Sequence, residues 1–82
     1  MSTDYDWDLS RQATERIIQL PKKERTKLFA FFDSIASHLS QEADNQFYDQ
    51  YGQLHFIKVM GKKTITYSID DPVCLVHIEA IE

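Results

Sequence analysis

The sequence predicts an α+β fold: an N-terminal strand, an antiparallel helical hairpin, then a three-stranded antiparallel meander. Three observations carry this expectation. Residues 4–9 alternate polar and apolar side chains. Residues 10–39 carry an apolar helical period, divided once at Pro21. Residues 54–81 hold three short β-rich runs separated by turn signals. Eighty-two residues suffice for one domain, 1–82, and not for a second core.

The elements follow in order. Tyr5, Trp7 and Leu9 fall on one side of the first run, and Asp4, Asp6 and Asp8 on the other, the pattern of a half-buried strand. Ser10 reads as a helix N-cap, because its hydroxyl can accept an otherwise unpaired N–H of the first turn. Ala13, Ile17 and Leu20 then recur at helical spacing, with Ile18 beside them. Pro21 disfavours helical geometry at Leu20 and can open the next helix. There Leu28, Phe31, Phe32, Ile35 and Leu39 form a continuous stripe. Two helices so closely joined are expected to pack as a hairpin.

Residues 40–53 are harder to read. A polar run leads to Phe47, Tyr48 and Tyr51 before Gly52, compatible with a helical turn or with a loop pinned by aromatics. Leu54–Met60 reads as a strand with apolar residues on both faces, and Gly61-Lys62-Lys63 as a turn. Thr64–Ile69 alternates, with Ile65, Tyr67 and Ile69 inward and Thr64, Thr66 and Ser68 outward. Asp70-Asp71-Pro72 is a second turn. Val73–Ile81 closes the sheet, with Cys74, Val76, Ile78 and Ala80 expected on the core side and Leu75, His77 and Glu79 opposite. The helices are expected to cover one sheet face through Ala13, Ile17, Leu28, Phe32 and Ile35. Thr64, Thr66 and His77 then occupy the other.

Composition narrows the function. The apolar share of 43% and charged share of 27% are those of a soluble globular protein. The net charge of −4 argues against general nucleic-acid binding, which needs clustered Lys and Arg. Six of the nine basic residues lie between Arg11 and Lys27, and none lies between residues 28 and 57. The basic stretch is either an electrostatic footprint or the solvated face of two helices balanced by Glu15 and Glu24. The acidic N-terminus has no apolar signal core, and no run approaches a membrane span. One cysteine rules out an internal disulfide, so a cytoplasmic location is expected.

Two stretches carry a family likeness. Leu9-Ser10-Arg11-Gln12-Ala13, continuing to Ile17-Ile18-Gln19-Leu20-Pro21, resembles the opening of the RelE/ParE toxin superfamily. Gly61-Lys62-Lys63-Thr64-Ile65-Thr66-Tyr67-Ser68-Ile69-Asp70-Asp71 resembles that family's central hairpin: glycine, two variable residues, arginine, apolar, x, tyrosine, x, apolar, acidic. The resemblance spans Tyr5 to Ile81. It implies the strand–two helices–sheet fold and a protein of a bacterial toxin–antitoxin type, with an antitoxin-like protein partner. The departures are specific. Thr64 stands where the family has the arginine that helps hold the scissile phosphate. Glu79-Ala80-Ile81-Glu82 stands where it has basic, His or Tyr residues. A phosphodiester transition state needs cations or preorganised donors. The expectation is therefore weak or no ribonuclease activity, with action through protein–protein binding. The alternatives are an active translation-targeting endoribonuclease and a small regulatory or structural homodimer unrelated to toxins.

The candidate catalytic residues are few. Lys58, Lys62 and Lys63, with His55, could touch RNA phosphates or simply form a solvated hairpin tip. His77, with Glu79 on the same face, could do acid–base work or be a surface pair. Cys74-x-x-His77 does not suit a metal, since an odd separation on a strand sets the two on opposite faces. Cys74 is expected buried and unreactive. Phe47, Tyr48 and Tyr51 could stack on bases or a partner, or plug a core edge. No cofactor and no metal are implied.

Overall fold

Ser10 is the point at which strand becomes helix. The computed structural model describes residues 5–38 and 43–82. Strand β1 (Asp6–Leu9) ends at Ser10, whose backbone is extended and whose Oγ accepts the Ala13 N–H at 3.1 Å. A cap of this kind stabilises a helix by roughly 1 kcal/mol. Helix α1 (Arg11–Ile18) follows, and Pro21 separates it from α2 (Lys22–His38). The sheet is completed by β2 (Asn45–Tyr48), β3 (Leu54–Met60), β4 (Lys63–Asp70) and β5 (Leu75–Ile81).

The five strands lie in the order β1-β5-β4-β3-β2. Neighbours from β2 to β5 are antiparallel, and β1 joins the far side of β5 in parallel. Both helices lie on one face of the sheet, α1 against β5 and β1, and α2 against β1 and β5. The predicted face assignment holds: Ala13, Ile17, Leu28, Phe32 and Ile35 are all buried against Ile65, Tyr67, Val76 and Ile78. Leu39 lies outside the described residues. Phe32 is fully buried, between Trp7 at 5.0 Å and Phe31 at 6.0 Å between ring centroids. The Trp7 indole N–H donates to Asp33 at 2.9 Å, so the one polar atom of that ring is satisfied.

The hairpin between β3 and β4 closes through Gly61-Lys62, with Met60 paired to Lys63. Its first loop residue needs positive φ, and Gly61 supplies it at +62°. Lys63, read from sequence as part of the turn, is the first residue of β4.

Three features depart from the sequence reading. Residues 45–48, compatible from sequence with a helical turn or a loop, form the edge strand β2, and the predicted three-stranded meander gains a fourth strand. Second, Cys74 is outside β5: it caps the Asp71–Val73 turn at φ +53° and is only half-buried. Third, the alternation in β5 breaks. Thr66 pairs with Ala80 but Tyr67 pairs with Ile78, so Glu79 is an extra residue in the ladder. The bulge moves Ile81 into the core at zero exposure and leaves Ala80, the expected core residue, half-buried on the other side.

Beyond the end of β1, Ser10 and helix α1 bond to β5 in its place. Ser10 Oγ donates to the Glu79 carbonyl at 2.7 Å. The Ser10 N–H donates to the Ile78 carbonyl at 2.9 Å. The Gln12 side chain both donates to the Ile81 carbonyl at 3.0 Å and accepts its N–H at 2.9 Å. Strand β1 pairs with β5 only as far as Ile78, so the backbone groups of β5 beyond it on that side must find such partners or cost free energy.

Candidate functional site: the open face of the sheet

Pairing determines which side chains share the face away from the helices. Asp6 and Asp8 of β1 stand beside Leu75 and His77 of β5. His77 stands beside Ser68 of β4, and Ala80 beside Thr66. Thr66 stands beside Ile57 of β3, and His55 of β3 beside Phe47 of β2. Among the described residues, no strand position on this face is Lys or Arg.

Its centre is a hydrogen-bonded group built on His55. Nε2 meets Asp49 Oδ2 at 2.7 Å, and Nδ1 meets Glu79 Oε1 at 2.6 Å. Glu79 also accepts the Ser68 hydroxyl at 2.9 Å, which explains why Ser68 is buried though it points away from the core. Phe47 stacks on the imidazole, with centroids 4.9 Å apart and planes 16° from parallel. Asp49 Oδ1 also accepts the backbone N–H groups of Tyr51 and Gln53, which folds the β2–β3 turn around it. An ionised carboxylate only accepts, so the ring satisfies both neighbours at once when both of its nitrogens are protonated, as an imidazolium.

The electrostatics agree. The hydrogen bond to Asp49 raises the His55 pKa above its ordinary value; partial burial opposes this and Glu79 reinforces it. The hydrogen bond from His55 in turn lowers the Asp49 pKa, against partial desolvation and with help from the Gln53 and Tyr51 N–H groups. An imidazolium held on both sides has no free nitrogen with which to take a substrate proton.

The residues singled out from sequence do not converge. His77 is on the open face, but its partners are Asp8 at 2.9 Å and Asp70 at 3.8 Å. The expected His77–Glu79 pair does not form, because the register sets Asp8 directly beside His77 while Glu79 is engaged by His55 and Ser68. Lys58 and Lys63 share the parity of Phe56 and Ile65 and so lie on the helix side. Lys58 reaches Asp44 at 3.7 Å, and Lys63 reaches Glu24 of α2 at 2.6 Å. Lys62 is exposed at the hairpin tip. Among the described residues, no group of three or more His, Cys, Asp or Glu side chains is placed to hold a metal ion, and no helix is long and apolar enough to cross a membrane.

A second surface lies on the helical side. Between α1 and α2 runs a groove of about 520 Å³ with an apolar floor of Leu9, Ile17, Ile18 and Phe29 and a rim that includes Lys22 and Arg25. Ile18 is 69% exposed there.

These elements, in this order, are those of the RelE-like fold. A chain of the toxin–antitoxin complex RelBE2 from Mycobacterium tuberculosis superimposes with a TM-score of 0.80 at 17% identity, covering 100% of this chain and 93% of that one. A chain of the archaeal RelE–RelB complex from Pyrococcus horikoshii OT3 also scores 0.80, at 14% identity, covering 98% and 94%. No protein-family model matches the sequence, and no curated protein matches it. The shared property is the fold.

Proposed function

We propose that this chain is a RelE-like protein of a toxin–antitoxin type system that acts by binding an antitoxin-like protein and has weak or no ribonuclease activity. The observation that carries the second half is the open face. Its strand positions hold Asp6, Asp8, Asp70 and Glu79 and no Lys or Arg. A phosphodiester gains charge on the way to cleavage and needs fixed cations or donors at that place. The two imidazoles of the face are each committed to carboxylates, and Thr64 offers no guanidinium. The first half is supported by the full-length likeness of fold to chains from two toxin–antitoxin complexes.

The groove between the helices is the surface we assign to the partner. Its apolar floor and basic rim suit an acidic amphipathic segment, with apolar side chains over Ile18 and carboxylates toward Lys22 and Arg25.

Regulated expression with and without the neighbouring reading frame, read as growth and RNA integrity, tests the proposal. The expected result is little growth arrest and intact RNA. Strong cleavage by purified protein, abolished by Lys62→Ala or His77→Ala, would overturn it. For the partner surface, Ile18→Asp is expected to weaken binding of a co-expressed antitoxin-like protein at least tenfold while the thermal midpoint stays near wild type, since Ile18 is mostly exposed. Unchanged affinity in that variant would remove the groove from the interface.

A further inference from the structure

The His55 group joins two parts of the chain that the ladder joins only indirectly. Asp49 belongs to the turn that follows the edge strand β2, whereas Glu79 is the bulged residue of β5, two strands beyond β3 in the sheet. We propose that His55 is a proton-operated latch that holds β2 and the 49–53 turn onto the open face of the sheet and loosens them when it loses its proton.

The geometry gives the switch its direction. With both nitrogens protonated, His55 donates to Asp49 and to Glu79 at once. When one proton leaves to solvent, a neutral imidazole keeps a single N–H. Its other nitrogen then presents a lone pair to a carboxylate, so one bond becomes a repulsion. Neither carboxylate needs His55 to stay in place. Asp49 keeps the Tyr51 and Gln53 N–H groups, and Glu79 keeps Ser68. The connection lost is therefore the one between the turn and β5. The edge strand is the element free to respond. It pairs on one side only, and all four of its residues are exposed. Phe47 is 42% exposed even when stacked on the ring.

Other groups around the site do not duplicate the switch. From β2 the ring meets Phe47; from the turn, Asp49; from β5, Glu79, with Ser68 of β4 behind it. His77 stands on the far side of Ser68 and is held by Asp8 and Asp70. The raised His55 pKa sets the sign. The latch is fully closed below the ordinary histidine value, 6.5, and opens as pH rises through the higher folded-state value. At the acid end, the lowered Asp49 pKa means closure is lost only as pH falls below the ordinary value of 3.8, toward the lower folded-state one. The latch does not depend on the identity of any binding partner.

Imidazole nitrogen shifts and amide exchange by NMR between pH 5.5 and 8.5 test this, with exchange corrected for its intrinsic pH dependence. At the acid end, both His55 nitrogens are expected to show protonated shifts. Protection at Asp44 and Asp49, whose N–H groups bond to Ile57 and Gln53, is expected to fall about tenfold across the range, while Ser10 and Thr64, whose N–H groups bond to Ile78 and Glu82, hold steady. In His55→Gln the same amides are expected to be weakly protected at every pH. In His77→Gln the wild-type fall should persist. A flat wild-type profile, a neutral His55 at pH 5.5, or disappearance of the fall in His77→Gln would each overturn the proposal. The wild-type titration decides the matter even if a variant fails to fold.

Discussion

Phe32→Ala is expected to destabilise the protein by about 3–5 kcal/mol. The ring is fully buried at the centre of the layer between helices and sheet. It touches Trp7, Phe29 and Phe31, with centroids 5.0–6.2 Å away. Truncation removes that apolar surface from the interior and leaves a hole lined by three rigid rings, which relax poorly. Domains of this size are stable by only about 5–10 kcal/mol, so the variant should be marginal at growth temperature. Urea unfolding followed by tryptophan fluorescence reads both the midpoint and the surroundings of Trp7. A loss below about 1 kcal/mol would mean that the ring is not where the helical stripe puts it.

That residue was legible in the sequence, and the reason is local. A helix repeats every 3.6 residues whatever surrounds it, so Leu28, Phe31, Phe32 and Ile35 had to share a face. The same holds for the Ser10 cap and the Gly61 hairpin, each set by a few adjacent residues. Strand β2 was obscured because Asn45 and Gln46 carry no apolar alternation and because an edge strand buries little. The His55 group was missed for a different reason. Asp49, His55 and Glu79 are brought together by strand register, and register depends on partners 6 and 24 residues away. One signal was present: Lys58 shares the parity of buried Phe56, and Lys63 that of Ile65, so both belong on the helix side, away from His77. Their engagement with Asp44 and Glu24 follows from that parity.

The bulge in β5 is the departure with the largest energetic consequence. Ile81→Ala is expected to cost about 2–5 kcal/mol, whereas Ala80→Ser should change stability by no more than about 0.5 kcal/mol. An unbroken strand reverses both expectations. In that case Ala80 faces the helices beside Val76 and Ile78, a serine there buries an unpaired hydroxyl at roughly 1–3 kcal/mol, and Ile81 points to the open face where truncation matters little. The structure instead places Ile81 at zero exposure opposite Ile65 and Ala80 opposite Thr66. The side chains that bond to β5 in this phase come from Ser10 and α1, more than sixty residues away in sequence. Gln12 pairs with both backbone groups of Ile81, and Ser10 holds the Glu79 carbonyl. The cost of losing Ile81 should therefore shrink in a Gln12→Ala background, because a β5 freed from α1 can slip toward the regular alternation. Measured as a double-mutant cycle, the two substitutions are expected to couple by about 0.5–3 kcal/mol. Additive losses would mean that the bulge is held by β5 itself, without help from the helix.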